Sequence, residues 1–335
     1  MTRLGTILAA ALITLSAAGA HAAPVELTVC VYDPSGANGD AFNMMKDYRT
    51  AAAAWGVNLT LKPYTEEKTA AEDFKAQKCH AALLTGVRTR TFVPFSGSIE
   101  AMGGLPDYGQ LRSVVANLAK PAGAKLMKKG DYETVALFPG GKVYLLVRNR
   151  NIKSVGDLAG KRIATLDFDV AAKAMVKAVG ASMVIADIGT FAGMFNNGGV
   201  DACYAPATAF VPLELRKGIG SAGGVVRYPL AQLTMQLLVR SASFPEGFGG
   251  KSREWSAKEF KRMLRLVEKA DKSIPAKFWI DVPKPDQEKY DLMFRDVRLR
   301  LRDQGVLDRA ALKLLMRTRC QGEGAARAEC AEKKE

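Results

Sequence analysis

Between residues 142 and 206 the chain alternates short apolar runs with stretches of helical spacing. Residues 142–147, 162–167, 183–185 and 200–204 are β-rich. Between the second and third of these runs, Ala171, Ala174, Met175, Ala178 and Val179 recur at helical spacing and stop at Gly180. Residues 190–197 read as a further helix. Ser154 and Asp157 have capping-box spacing for a one-turn helix that Gly160 closes. Strands that alternate with helices predict parallel pairing in an α/β layered domain. Ligands of such sheets bind beyond the carboxyl ends of the strands. Arg148, Asp167, Asp169 and Tyr204 follow or end these strands and are therefore candidates.

The amino-terminal part repeats the pattern. The run VELTVCVY (25–32) reads as a strand, 41–55 as a helix, 57–61 as a strand, 67–77 as a helix and 80–85 as a strand. This is a βαβαβ unit, expected to be right-handed. No GxGxxG follows its first strand, which argues against a dinucleotide site. Asp33, Glu66 and Arg88 stand at its three strand ends. Singly, each has a plainer reading: an Asx turn before Pro34, a helix cap, a surface charge. Their convergence on one sheet edge makes them candidates for ligand binding as a group.

Residues 95–105 (FSGSIEAMGGL) are Gly-rich and apolar, a cleft wall or a packed connector. Residues 111–127 read as a helix. Pro139-Gly140-Gly141 links residues 132–138 to the opening stretch and reads as a crossover between two lobes. The Gly- and Pro-rich segment after Pro206, with strands at 225–228 and 233–240, reads as the return. Two crossovers make a hinge with a cleft, a common place for a small-molecule site. The remainder is helical. Ser256 and Glu259 form a capping box. Phe260, Met263, Leu264 and Val267, then Tyr290, Met293, Phe294, Val297 and Leu301, recur as apolar stripes expected to pack on the first lobe. A third helix is expected at 310–317.

The first 22 residues change the address. Arg3, an apolar run from Leu4 to Ala18, and small residues Ala20 and Ala22 describe a secretory signal peptide cleaved after Ala22. The apolar run is shorter and richer in Ala and Gly than a membrane span. No later segment is apolar enough to span, so an exported, periplasmic protein is expected. The chain has 335 residues, room for two domains, and a net charge of +14. That charge reads most simply as a solvated basic surface, and more sharply as attraction for an anionic ligand. With no basic run interleaved with aromatics, nucleic acid is not an expected partner.

Export also makes the cysteines disulfide candidates. Cys320 and Cys330 bracket a polar tail with little core of its own. Cys30 and Cys79 fall on two strands of one βαβαβ unit and are a second candidate pair. Cys203 is left over and expected to be buried and free. Without CxxC, and with His80 the single histidine after residue 22, no metal site is expected. No nucleophile motif accompanies the carboxylates, so no enzyme and no cofactor is expected.

Asn151-Ile152-Lys153-Ser154, Asp157 through Ile163, Gly180-Ala181 and Gly198 through Pro206 resemble segments of the solute-binding receptors of TRAP transporters. The resemblance implies an α/β, two-lobed, type II-like periplasmic binding protein with a hinge and carboxyl-terminal helices. Its expected parts are a signal peptide at 1–22, lobe I at 23–141, lobe II at 142–208, a return crossover at 209–245, and helices with a disulfide-bonded tail at 246–335. The implied function is capture of a small solute in the interlobe cleft for a membrane permease. The alternative is an accessory or sensory component of a membrane complex, with no transport activity of its own.

Three positions depart from that family. Its carboxylate-clamping arginine falls here on Ala164, and a second family arginine, in the preceding strand, falls without gaps on Tyr144, which makes Tyr144 a candidate contact. The family's polar asparagine before the final proline falls here on Ala205. Loss of the clamp argues against a simple carboxylate, and Asp167 and Asp169 nearby suit a cationic or polyhydroxylated ligand. Cys30 through Pro34, Tyr64 through Glu67, Phe195 through Gly198, Tyr228 through Leu230 and Ser252 through Trp255 are similar to a group of exported solute-binding proteins. Some of that group are labelled efflux-pump components, a role that would need membrane spans.

Overall fold

The computed structural model describes residues 23–332 and 334–335. The expected leader at 1–22 lies outside the described residues. Eleven strands form one continuous sheet: β1 (Val25–Tyr32), β2 (Val57–Tyr64), β3 (Ala81–Thr85), β4 (Lys128–Lys129), β5 (Tyr132–Val147), β6 (Arg162–Leu166), β7 (Ser182–Ala186), β8 (Ala202–Pro206), β9 (Gly224–Val226), β10 (Ala231–Arg240) and β11 (Trp279–Ile280). The main order is β2-β1-β3-β10-β5-β8-β6-β7.

The helices before the sheet's midpoint are α1 (Asp40–Ala53), α2 (Glu67–Lys75), α3 (Gly86–Thr89), α4 (Pro94–Gly97), α5 (Tyr108–Leu118) and α6 (Pro121–Ala124). Then come α7 (Val170–Ala178), α8 (Phe191–Asn196), α9 (Arg216–Ile219), α10 (Phe248–Ser273), α11 (Lys284–Asp303) and α12 (Arg309–Arg319).

β1, β2 and β3 pair in parallel, as a βαβαβ unit demands. All five residues of β3 are buried, the mark of a strand covered on both faces. β6 pairs in parallel with β7 and β8. The expectation of purely parallel pairing in 142–206 fails at one place: β5 runs antiparallel to β8. The cause is that β5 is one 16-residue strand that enters the second half of the sheet from the first. The Pro139-Gly140-Gly141 crossover therefore lies inside a strand. β5 pairs with β10 along this length, and the register shifts between Leu233 and Thr234, opposite Pro139 and Gly141. Gly140 is the extra residue, and a Cβ there would press on Leu233 at 3.0 Å.

The carboxyl-terminal helices differ from expectation in two ways. α10 begins at Phe248, so Ser256 sits inside the helix and its hydroxyl donates to Arg253 O rather than capping. Phe248 and Ser252 are buried against the first half, where the Ser252 hydroxyl bonds the Tyr48 phenol, and this packing extends the helix toward its start. Nor do these helices pack on the first lobe alone. Met263 joins the core around β1–β3; Phe260, Leu264 and Val267 join the core of α5, α11 and α12; Ala270 packs on the core of the second half. α11 lies against α7, because its stripe of Tyr290, Phe294 and Val297 continues the apolar face made by Val176, Val179 and Ile163.

Bridges join Cys30 to Cys79 and Cys320 to Cys330, with Cα–Cα distances of 5.8 and 5.7 Å. Cys203 is free and buried, and burial pushes its thiol up. His80 Nδ1 accepts the Thr28 backbone N–H at 3.0 Å, a structural role. The tail folds back on α11 and α12. Arg298 and Arg319 are fully buried and bind Glu329 and Glu335, while Arg298 Nη1 also donates to Met102 O at 2.6 Å.

Candidate functional site

Where the two halves of the sheet meet, they enclose a cavity of about 400 Å3, a normal size for a small-molecule site. β1, α1, α2 and the segment around α3 line one side. β6, α7, α8 and β8 line the other. Pro139, Gly140 and Val143 of β5, Ala231–Leu233 of β10 and one face of α10 complete the wall.

Asp33, at the end of β1, is buried in that wall. Its carboxylate accepts from Ser35 N, Ala41 N and Phe42 N at 2.8, 2.9 and 3.1 Å, and so satisfies the amino-terminal end of α1. The side chain reaches that end only because residue 39 is glycine: a Cβ there would lie 1.9 Å from the carboxylate. Asp169 caps α7 through Ala172 N at 3.0 Å. Burial raises its pKa, opposed by Arg90. Tyr204 on β8 accepts from Leu166 N at 3.1 Å, and burial holds its phenol well above the ordinary value.

These three residues line the cavity; the other five candidates do not. Glu66 is exposed just before α2, and the adjacent Glu67 takes the wall position. Arg88 lies behind the wall, and Arg90 lines it. Tyr144 is on the wrong face of β5: side chains alternate along a strand, so Val143 meets the cavity and Tyr144 packs edge-on against Trp279 at 5.0 Å. Asp167 is exposed, and its carbonyl accepts from Lys173 Nζ. Phe168, between the two aspartates, is the residue that turns inward. Arg148 is at the opposite end of the sheet, because β5 is antiparallel. It donates to Phe195 O and Gly218 O at 3.0 and 3.1 Å.

Arg88 has a different importance. Its guanidinium carbon lies 3.7 Å from the centroid of the Phe168 ring, a contact from one half of the sheet to the other. Arg88 Nε is 3.6 Å from Oε2 of Glu67, whose Oε1 accepts from Thr85 N and Thr85 Oγ1 at 2.6 and 2.7 Å. Burial raises the Glu67 pKa, opposed first by Arg88. On the same seam, Ile188 packs on the core of the first half.

Glu100 was not singled out by its sequence position, although a lone acid within FSGSIEAMGGL is a legible signal. It is buried in the cavity wall, and its Oε1 accepts from Gly86 N at 3.0 Å, Thr234 N and Thr234 Oγ1. Burial pushes its pKa up to about 7. Among the described residues there is no grouping of His, Cys, Asp and Glu able to hold a metal, and no helix long and apolar enough to cross a membrane.

The chain is 38% identical over 301 residues to the probable solute-binding protein AdeT1 of Acinetobacter baumannii, covering 90% of this chain and 99% of that one. A second protein of that organism, the probable solute-binding protein AdeT2, is 27% identical over 224 residues, 67% of this chain and 94% of that one. Among solved structures, a TRAP periplasmic solute binding protein from Ralstonia eutropha with bound (S)-2-acetolactate superposes with a TM-score of 0.70 at 13% identity. It covers 87% of this chain and 99% of that chain. One from Sulfitobacter with bound β-D-galacturonate gives 0.69 at 9% identity, covering 87% and 98%. At such identities the likeness is one of fold, and the fold is that of the two-lobed TRAP receptors. The family model for solute-binding protein AdeT 1/2 matches residues 50–335, and the chain belongs to that family of solute-binding proteins.

Proposed function

We propose that this protein is the capture component of a membrane transport system. It is exported through a signal peptide cleaved after Ala22, works in the periplasm, encloses one small solute and presents it to permease subunits. It carries out no chemistry on that solute. The carrying observation is the cavity of about 400 Å3 between the sheet halves, walled on both sides, with the halves joined behind its wall where Arg88 stacks on Phe168. In this reading residues 23–141 form one lobe and 142–208 the other, 209–245 return the chain, and the helices after 246 brace both. Asp33, Asp169 and Tyr204 contact the solute, Arg88 and Glu66 act at the closing seam, and Tyr144 and Asp167 have no direct part. An accessory role without a ligand is not favoured, because it leaves the cavity without a use.

A ligand that prefers the closed form raises its population in proportion to that preference. Bound at 100 times its Kd, it adds about 2.7 kcal/mol to stability. The test is a thermal-shift screen of a broad metabolite library, with native mass spectrometry of protein taken from its own periplasm. A saturable shift without turnover is expected. A flat screen together with no retained molecule refutes the proposal, and turnover of a hit refutes its non-enzymatic part.

A further inference from the structure

Two oxygens on side chains of the cavity wall lack the partner that burial demands; a third, Glu67 Oε2, also accepts no hydrogen bond but faces Arg88 Nε at 3.6 Å. Glu100 is 5% exposed, and its Oε2 accepts no hydrogen bond among the described residues. Gln232, 3% exposed, lines the same cavity. Its Nε2 donates to Leu105 O and Asp107 O at 2.8 and 2.7 Å. Two carbonyl oxygens can be met only by the amide nitrogen, so the side chain has one workable orientation and Oε1 is the atom left over. It too is buried and unpartnered. An amide oxygen accepts at any pH, and an unmet buried acceptor is costly.

β10 brings the two side chains to the same part of the wall. Gln232 and Thr234 stand two residues apart on β10 and so share a face of the sheet. Glu100 is bonded to Thr234 through both the backbone N–H and the hydroxyl. Gly86 makes the approach possible, since a Cβ there would lie 2.5 Å from the Glu100 carboxyl carbon.

The charges on the wall have the same sense. Asp33, Asp40, Glu67, Glu100 and Asp169 line the cavity against one arginine, Arg90. Arg90 Nε and Nη2 both donate to Gly97 O, and its charge acts on Glu100 and Asp169 together. Much of the remaining wall is apolar, with Met44, Val87, Met102, Met175 and Phe191.

We propose that the cavity takes a compact organic amine: an apolar body that lies on the methionine and aromatic wall, with a protonated nitrogen that donates to Glu100 Oε2 and Gln232 Oε1. This rests on the capture reading above. Where Glu100 is ionised, a carboxylate in the same place would set acceptor against acceptor and add a like charge to the acids of the wall. An alcohol would meet one oxygen without answering the charge.

The test uses phenylalkyl amines of graded chain length, with the alcohols and carboxylates of the same lengths, titrated calorimetrically into the protein purified after unfolding and refolding to remove retained solutes. The amines should bind at least tenfold tighter than the matched alcohols, a step that one charge-assisted hydrogen bond can supply. The carboxylates should be weakest. Glu100→Gln should cost the amines about tenfold or more while it leaves the alcohols within about twofold. Carboxylates that bind as tightly as amines overturn the inference and leave the capture reading standing, as does an amine series indifferent to Glu100→Gln. If that variant does not fold, the three-way comparison on the unmodified protein decides alone. If no series binds, native mass spectrometry of the unrefolded protein decides: a retained amine sustains the inference, any other retained molecule overturns it, and no retained molecule overturns the capture reading as well.

Discussion

Glu100→Gln should stabilise the ligand-free protein in a pH-dependent way. A carboxyl group whose pKa is higher folded than unfolded holds its proton more tightly in the folded state. Its contribution to stability is full below the unfolded value of 4.5 and is lost as pH rises through the folded value of about 7. At about 1.36 kcal/mol per pKa unit, the whole span is about 3 kcal/mol. Most of it falls between pH 5 and pH 8. Glutamine copies the neutral acid: its oxygen takes the three donors from Gly86 and Thr234, and it has no proton to lose. The two proteins should therefore be close in stability at pH 5, and the variant should be ahead by about 2–3 kcal/mol at pH 8. With a urea slope of about 3 kcal/mol/M, the midpoints separate by about 0.8 M. The assay is urea unfolding of both proteins at half-unit steps of pH, read by tryptophan fluorescence. Glu67 and Asp169 also have raised pKa values from burial, but they are common to both proteins and cancel in the difference. A difference that does not change with pH would refute the reasoning, because it would mean that Glu100 is not held by its burial.

Phe195 is fully buried under α9, where a Cβ on Gly218 would meet its ring at 2.3 Å; Phe195→Ala should cost about 3–5 kcal/mol in chemical denaturation. Replacement of Cys320 and Cys330 by serine opens a loop of sequence separation 10 and should cost about 2–3 kcal/mol in the same assay, with hydrogen exchange rising first around the buried Arg298 and Arg319. Arg88→Ala removes the stack on Phe168 and the partner of Glu67, and should weaken binding of the best amine probe about five- to tenfold by calorimetry. Tyr144→Phe should leave that affinity unchanged, since the side chain is on the face of β5 turned away from the cavity.

The βαβ alternation was legible because each local signal agreed with its neighbours: apolar runs, helical stripes and glycines at the turns. Gly160 and Gly180 do adopt positive φ at helix ends, 71° and 66°. The position of a side chain relative to a cavity was much less legible. Glu66 and Glu67 are adjacent, as are Asp167 and Phe168, and a one-residue difference decides which faces inward. Of the residues at strand ends, Asp33, Asp169 and Tyr204 line the wall of the cavity. Glu100 and Gln232 had no strand-end position to mark them. Glu100 comes from an irregular segment and Gln232 from the middle region of β10, and only their convergence gives them a common surface.

The sequence by itself determined most of the βαβ elements, the pairs of cysteines available and, through the segments that resemble TRAP-transporter receptors, the fold family. These depend on local spacing and on contacts that repeat wherever the fold repeats. The tertiary structure alone decided that β5 runs unbroken and antiparallel through both halves, that α10 and α11 brace both rather than one, and which carboxylates lost their water. That last point is physical: a carboxyl group's proton affinity follows its burial and its donors, and those are supplied to Glu100 by Gly86 and Thr234, residues 14 and 134 positions away.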